Sequence, residues 1–528
     1  MKKIRLSSIL WKPVIKTLKA PWTRFSAQTN LLSVTPISVE TDISRGTLFA
    51  FAIVGLPDKA VEEARDRVSA AIKNSGFKSP KAHNHKIVVS LAPADQKKEG
   101  PAFDVAIALS YLVANKDIVF DHEGKLFLGE LSLDGKVRPV HGILPIARFA
   151  KQEGFKELYV PTENVREAAL IDGLNIFGVS SLSDIIEHLS GTVKIPKAEL
   201  TVVDKVKLVA SIDFSDVRGQ ERAKRGLLIA AAGGHNVAMY GPPGTGKTML
   251  AKAFAGILPE LTFEESLEAT SIHSVAGTLS ETFITNPPFR APHHTASYVS
   301  LVGGGATPRP GEITLAHYGV LFMDEFPEFD RRVIESLRQP LEDKVISISR
   351  AKGTAHFPAN VLLVAAMNPC PCGNFGFRGK SCICTPSALS RYRRKMSGPI
   401  MDRIDIWLEV DRVLPTDLHG GSEGDKSETF RARVEQARAA QKERFNKKGR
   451  KLSRNSEMSA RDLVTLVVLD KESRKTLDLA ALRLGFSPRV YHRMIKVART
   501  IADLEGSEEI ENAHILEAVE YRPKKFDV

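Results

Sequence analysis

The stretch "NVAMYGPPGTGKTMLAKAFAGIL" (Asn236 to Leu258) constrains the fold more than any other. "NVAMY" reads as a short apolar strand. The pattern G-x-x-x-x-G-K-[ST] follows, filled by Gly241, Pro242, Pro243, Gly244, Thr245, Gly246, Lys247 and Thr248. A helix comes next. Strand, glycine-rich loop and helix in this order make a P-loop and predict an α/β domain. The glycines let backbone N–H groups wrap phosphate oxygens, and the helix N-terminus adds partial positive charge. Lys247 is expected to reach the β- and γ-phosphates of ATP, and Thr248 to ligate Mg²⁺.

Two later strands supply matching chemistry. "GVLFMDEF" is an apolar run ending in two acids. Asp324 fits a carboxylate that holds Mg²⁺ directly or through water, and Glu325 fits a base that orients the attacking water. An Asp-Glu pair after a strand is a weak signal alone and a strong one at this distance beyond a P-loop. "VLLVAAMNP" ends in Asn368, whose amide is placed to position water near the γ-phosphate. The competing reading of Asn368 is a strand-end turn residue before Pro369.

Length and composition bound the rest. A chain of 528 residues holds two to four domains with cores of their own. Without an apolar run of about 18 residues it carries no membrane-spanning helix, and a cytoplasmic location is expected. The net charge of +12 favours an acidic partner, nucleic acid first. Residues 1–30 form a basic leader in which Lys12, Lys16 and Lys19 interrupt any signal-peptide core. It is expected to be disordered and outside the fold; a transit-like or DNA-binding arm is the alternative.

From about Leu31 to 190, strands and helices alternate in an α+β domain. "TLFAFAIVG", "HKIVVSLAP" and "ELYVPTENV" read as strands, and "KLFLGELSLDGKVRPV" as two strands around Asp134-Gly135. "DKAVEEARDRVSAAIKNSG" and "FDVAIALSYLVAN" read as helices. Residues 191–212 look like a linker, 213–411 like a second α/β unit, and 412–528 like a helical C-terminal region. "LHGGSEGDKS" (Leu418 to Ser427) reads as a loop.

All four cysteines lie in "CPCGNFGFRGKSCIC", as Cys370, Cys372, Cys382 and Cys384. Two C-x-C pairs around a glycine-rich loop present four thiolates to one Zn²⁺, although C-x-C is tighter than the usual C-x₂-C. Four reduced thiols, or a redox pair, are the other readings.

The nucleotide motifs resemble those of AAA+ ATPases in the branch of magnesium chelatase and MCM helicases. In "SGPIMDRIDIWLEV" the D-R-[FI]-D pattern matches Arg403 to that family's arginine finger, which completes a neighbouring subunit's site and implies a ring, a homo-hexamer. "FSPRVYHRMIKVARTIADLEG" resembles the sensor-2 helix, with Arg489 at the sensor position; a solvated helix arginine is the alternative. The segments "FRAPHHTASYVSLVGGGATPRPGEITLAHYGVLFMDEFPEF" and "DISRGTLFAFAIVGLPDKAVEEARDRVSAAI" resemble the ComM/YifB family over nearly the whole chain. That resemblance implies a Lon-protease-like N-terminal domain, an AAA+ module with a helical C-terminal lid, and an ATP-dependent DNA helicase promoting branch migration in recombination or natural transformation. DNA, branched or single-stranded, is the implied partner, and a tetrapyrrole is not expected.

"KKEGPAFDVAIAL" resembles the active-site segment of Lon-type proteases, but Ala102 stands in the serine's place and Leu144, in "VHGILPIARFA", in the lysine's. Neither side chain can act as nucleophile or base, so no peptidase activity is expected. In relatives, the hairpin in "VISISRAKGTAHFPANVLLV" faces the ring's pore, which makes Arg350 and Lys352 the candidate phosphate contacts. "VGGGATPRPGE" and the basic stretch "RARVEQARAAQKERFNKKGRKLSR" are further candidate surfaces. His293 and His294 are read as packing or supporting groups rather than ligands. A chelatase-type motor and a MoxR-like protein-remodelling ATPase remain alternatives.

Overall fold

The computed structural model describes residues 24–30, 33–46, 48–202, 212–279, 281–305, 309–350, 353–377, 381–396, 398–413 and 425–522. They form two compact units, divided between Val202 and Val203.

The first unit opens with β1 (Arg24–Asn30), β2 (Ser33–Arg45), β3 (Ala50–Val54) and β4 (His85–Ala92), a sheet in the order β1-β2-β4-β3. β1, β2 and β4 run antiparallel. β3 runs parallel to β4 across the helix Lys59–Asn74, as a parallel connection requires. Ile37, Val39, Ile87, Val89 and Leu91 alternate inward and are buried. The helix Asp104–Ala114 is buried on nearly every face, as its continuous apolar sequence demands. β5 (Lys125–Phe127), the short hairpin of β6 (Glu130–Leu131) and β7 (Val137–Arg138), β8 (Glu157–Pro161) and β9 (Asn175–Val179) complete the strands, with β5, β8 and β9 in a parallel sheet.

Two expectations are corrected here. The leader does not extend to residue 30: β1 pairs along its whole length with β2, and Ser26 and Ala27 are fully buried. After Arg24 the basic run ends, and Ser26 Oγ donates to the Phe127 carbonyl at 2.9 Å. Residues 1–23 lie outside the described residues. The hairpin at Asp134-Gly135 joins β6 and β7 only; β5 belongs to the parallel sheet. Gly129, at φ +154°, breaks the run, and a Cβ there would stand 2.5 Å from Val137 Cγ1. Of the expected linker, 203–211 lie outside the described residues, while Ala198 and Thr201 donate backbone hydrogen bonds to Ile176 and Ala169.

The second unit contains β10 (Val237–Tyr240), β11 (Phe289–Arg290), β12 (Gly303–Gly304), β13 (Arg309–Pro310), β14 (Val320–Met323), β15 (Val345–Arg350), β16 (Gly353–Pro358), β17 (Leu362–Met367) and β18 (Ile406–Glu409). Five form a parallel sheet in the order β11-β14-β17-β10-β18. Every residue of β10, β14 and β17 is buried, so these strands read as unbroken apolar runs. Their adjacency brings the loops at their C-terminal ends together, where open α/β sheets bind ligands.

β12 pairs with β13, and β15 with β16, as two antiparallel ribbons. Beyond the loop expected at Leu418 to Ser427, of which 418–424 lie outside the described residues, come the helices Ser427–Lys447, Ala460–Leu466, Lys471–Leu484, Pro488–Leu504 and Asn512–Glu520. Ser487 caps the fourth of these, accepting from the Val490 N–H, with Pro488 in its first turn. Val434, Phe445, Leu477, Met494 and Ile501 from these helices join the core built on β10, β14 and β17.

Candidate functional site

β10 runs directly into the glycine-rich loop, and the helix Lys247–Gly256 leaves it. Gly241 is where the loop crosses β18: a Cβ there would stand 1.9 Å from the Val410 carbonyl oxygen. Gly246 holds φ +88° as the helix N-cap, a left-handed conformation that favours glycine. Thr245 Oγ1 donates to the Pro242 carbonyl at 3.0 Å and fastens the loop internally.

Lys247 is buried, and its Nζ donates to the carbonyls of Gly241 and Pro242, both at 2.8 Å, and to Asn368 Oδ1 at 3.3 Å. Burial pulls its ammonium below the ordinary lysine value, with Asp324 opposing. Thr248 Oγ1 donates to Asp324 Oδ2 at 2.8 Å. A hydroxyl and a carboxylate facing one another are hard oxygen donors of the kind Mg²⁺ takes alongside substrate phosphates.

Glu325 follows Asp324 in a left-handed conformation, φ 51°. A non-glycine residue there is uncommon and marks a constrained turn. Its Oε2 lies 3.1 Å from His294 Nδ1. Asn368, at the end of β17, is fixed from behind by Tyr392, whose hydroxyl donates to its carbonyl at 3.0 Å. Four of the sequence-predicted residues therefore meet in two hydrogen-bonded pairs, Lys247 with Asn368 and Thr248 with Asp324, joined through the adjacent residues 247 and 248, and Glu325 follows Asp324 in the chain.

Arg403 is paired within its own chain. A finger for a neighbour's site has to project outward, yet this side chain is 9% exposed. Its Nη1 donates to the Pro399 carbonyl at 2.7 Å, and its Nη2 is paired with Glu342. Glu342, near the end of the helix Arg338–Asp343, draws the guanidinium inward. Arg489 reaches the same carboxylate at 3.0 Å from a side chain 58% exposed. Four residues further along that helix, Arg493 pairs with the buried Asp405, which also accepts from the Asn236 N–H at 3.0 Å.

Arg350 closes β15 beside the turn of the ribbon, and Lys352 lies outside the described residues. Ala102 and Leu144 occupy their places in the first unit as backbone partners: the Ala102 carbonyl accepts from Gly129, and the Leu144 N–H donates to Glu167. The four cysteines gather in the loop beyond Asn368, their sulfurs all within 4.8 Å of one another. No helix among the described residues is long and apolar enough to cross a membrane.

Sequence reasoning missed Glu342, the use of His294 and the buried Asp405–Arg493 pair. "APHHT" carries a signal for His294. Glu342 carries none, because its partners lie 61 and 147 residues away.

The chain is similar to known proteins over most of its length. Residues 213–418 match the family model described as magnesium chelatase, subunit ChlI; 39–164 match that of subunit ChlI of Mg-chelatase, and 424–522 that of the ChlI C-terminal region. The chain is 42% identical over 492 residues to competence protein ComM of Haemophilus influenzae, covering 92% of this chain and 94% of that protein. It is likewise 42% identical to YifB of Salmonella typhimurium, over 92% of this chain and 94% of the relative. A segment of 93 residues, 17% of the chain and 16% of the relative, is 33% identical to Lon protease 2 of Bacillus subtilis. Fold and site together define an ATPase of the magnesium-chelatase-like AAA+ class, which uses ATP and Mg²⁺. Within that class, the chain belongs to the ComM/YifB family.

Proposed function

We propose that the chain is an ATP-driven, ring-forming DNA translocase or helicase that moves branched DNA during recombination or natural transformation. The meeting of Lys247, Thr248, Asp324 and Asn368 at the ends of three adjacent strands carries this reading. Lys247 and the backbone of Gly241 to Gly246 bind the phosphates. Thr248 and Asp324 hold Mg²⁺, which neutralises phosphate charge when bound. Glu325 accepts the attacking water's proton, and Asn368 orients that water. Arg489 approaches the phosphates from the C-terminal helices, which act as a lid. For Arg403 to serve a neighbouring subunit of a hexameric ring, its pair with Glu342 has to open.

The net charge of +12, the competence relative and the β15–β16 ribbon, whose first strand ends at Arg350 and which Lys352 follows in sequence, support DNA as the polymer. Such contacts are read by phosphate charge and are independent of sequence. The first unit serves as a Lon-protease-like scaffold without a serine–lysine dyad, since Ala102 and Leu144 offer no nucleophile or base. The ChlI matches favour a second reading, a chelatase-type motor acting with a partner subunit.

One assay separates them: ATP hydrolysis with and without single-stranded, duplex and four-way-junction DNA, at low and physiological salt. Several-fold stimulation by DNA, absent in Lys247→Ala, supports the translocase. Intact basal turnover that no DNA alters sinks it and favours the chelatase or MoxR-like reading.

A further inference from the structure

The loop between β17 and the helix Pro386–Arg394 contains all four cysteines and has no part in the phosphate chemistry above. Cys370 Sγ lies 3.4 Å from Cys372 Sγ and 3.8 Å from Cys382 Sγ, and Cys372 lies 3.6 Å from Cys382. The Cys384 sulfur completes the group, with all four within 4.8 Å of each other. These spacings decide between the readings of the cluster. Four thiolates at about 2.3 Å from one tetrahedral zinc stand about 3.8 Å apart. A disulfide requires about 2.05 Å and would draw the sulfurs into pairs. Here one sulfur has two neighbours at similar distance, as the corners of a tetrahedron do.

The backbone around the sulfurs is arranged for negative charge. The Phe375 N–H donates to Cys370 Sγ at 3.3 Å. The Asn374 side-chain amide donates to the Cys372 carbonyl at 3.2 Å and lies 4.0 Å from its sulfur. A neutral thiol is a weak acceptor, whereas metal-bound thiolates are regularly held by such N–H donors. Cys370 is fully buried, so the group it binds is shielded on one side by protein.

The same loop touches the nucleotide site at two points. Gly373, directly after Cys372, backs onto Pro243 of the P-loop; at φ +78°, a Cβ there would stand 2.5 Å from Pro243 Cδ. The Phe377 ring lies edge-on to Tyr240, the last residue of β10, at 6.3 Å between centroids. Cys370 itself is two residues beyond Asn368.

We propose that Cys370, Cys372, Cys382 and Cys384 bind one Zn²⁺, and that this zinc braces the loop against Pro243 so that the P-loop is shaped for nucleotide. The metal does no chemistry on ATP. It cross-links Cys370 and Cys372, at one end of the loop, to Cys382 and Cys384, at the other, by coordination.

Elemental analysis of the full chain, purified in reductant without chelator, should find about one zinc per chain. Exchange with Co²⁺ should produce the visible bands of tetrahedral thiolate cobalt. The double variant Cys382→Ser/Cys384→Ser, which leaves the residues beside the P-loop intact, should lose the zinc and bind a non-hydrolysable ATP analogue several-fold more weakly. Gly373→Ala should keep the zinc and weaken nucleotide binding. Lys247→Ala should keep its zinc while losing turnover, so the metal site stands or falls independently of the ATPase. A wild-type chain with neither zinc nor cobalt bands overturns the site, as does full zinc retention in the double variant. Unchanged nucleotide affinity in a zinc-free folded variant overturns the bracing.

Discussion

Arg403 and Arg489 close on a single carboxylate, that of Glu342, one from a buried side chain and the other from an exposed one. The difference in burial separates their expected effects. Arg489→Ala removes an exposed pair worth less than about 1 kcal/mol and should leave the melting temperature nearly unchanged while lowering ATP turnover. Arg403→Ala also removes bonds to Glu342 and the Pro399 carbonyl, and should cost about 1–3 kcal/mol of stability. Thermal melts beside turnover assays check this. Equal melting temperatures for the two variants would contradict the placement of Arg403.

Glu342→Gln keeps the shape of that junction and removes its charge. Both guanidinium groups then lose their anionic partner. Nucleotide binding should persist, and if the pair restrains Arg403 from a neighbour's site, turnover per chain should rise with protein concentration more steeply than in wild type. A concentration series of hydrolysis rates gives the answer; a turnover per chain that does not change with concentration would count against the restraint.

His294 and Glu325 form a second junction, 3.1 Å apart at half-exposed positions. A base held by an imidazole is less available to water. His294→Ala should therefore raise basal ATP hydrolysis without DNA and change stability by less than about 1 kcal/mol. Basal turnover below wild type, with nucleotide binding intact, would show instead that His294 assists Glu325.

Lys247→Ala should abolish turnover. Asp324→Asn should slow it by weakening Mg²⁺ binding, with partial recovery at high Mg²⁺. Titration of activity against Mg²⁺ distinguishes the two variants. Recovery of Lys247→Ala at high Mg²⁺ would misplace the lysine.

Asp405 sets an acid limb. Burial pushes its carboxyl up, but the Arg493 guanidinium and the His235 ring more than offset this and hold it well below the usual carboxylate range. A carboxyl depressed in the folded state stabilises above its unfolded value of about 3.9, and that stabilisation is lost as pH falls below it. The melting temperature should begin to fall below about pH 5 and drop most steeply below about pH 4, down to the depressed folded value. Asp405→Asn should be about 3 kcal/mol less stable at neutral pH and show a shallower acid limb. Superimposable acid limbs would exclude the pair as the cause.

The sequence by itself determined the P-loop and the three apolar strands that lead to Gly241, Asp324 and Asn368. Each is written in a short contiguous stretch, because strand burial and phosphate binding use residues adjacent in the chain. Family resemblance pointed to Arg403, as a finger for a neighbouring subunit's site, and to Arg489, as a sensor, without showing what they touch.

Only the tertiary structure decided the partners. Glu342 meets its two arginines from 61 and 147 residues away. β1 became legible as a strand when β2 lay beside it, because a seven-residue polar-apolar segment carries too little pattern inside a basic leader. The cysteine spacing left zinc, free thiols and a redox pair open, and the folded loop alone brought the four sulfurs to one point. Side-chain register between elements is fixed by packing across the core, and packing joins residues that local sequence keeps apart.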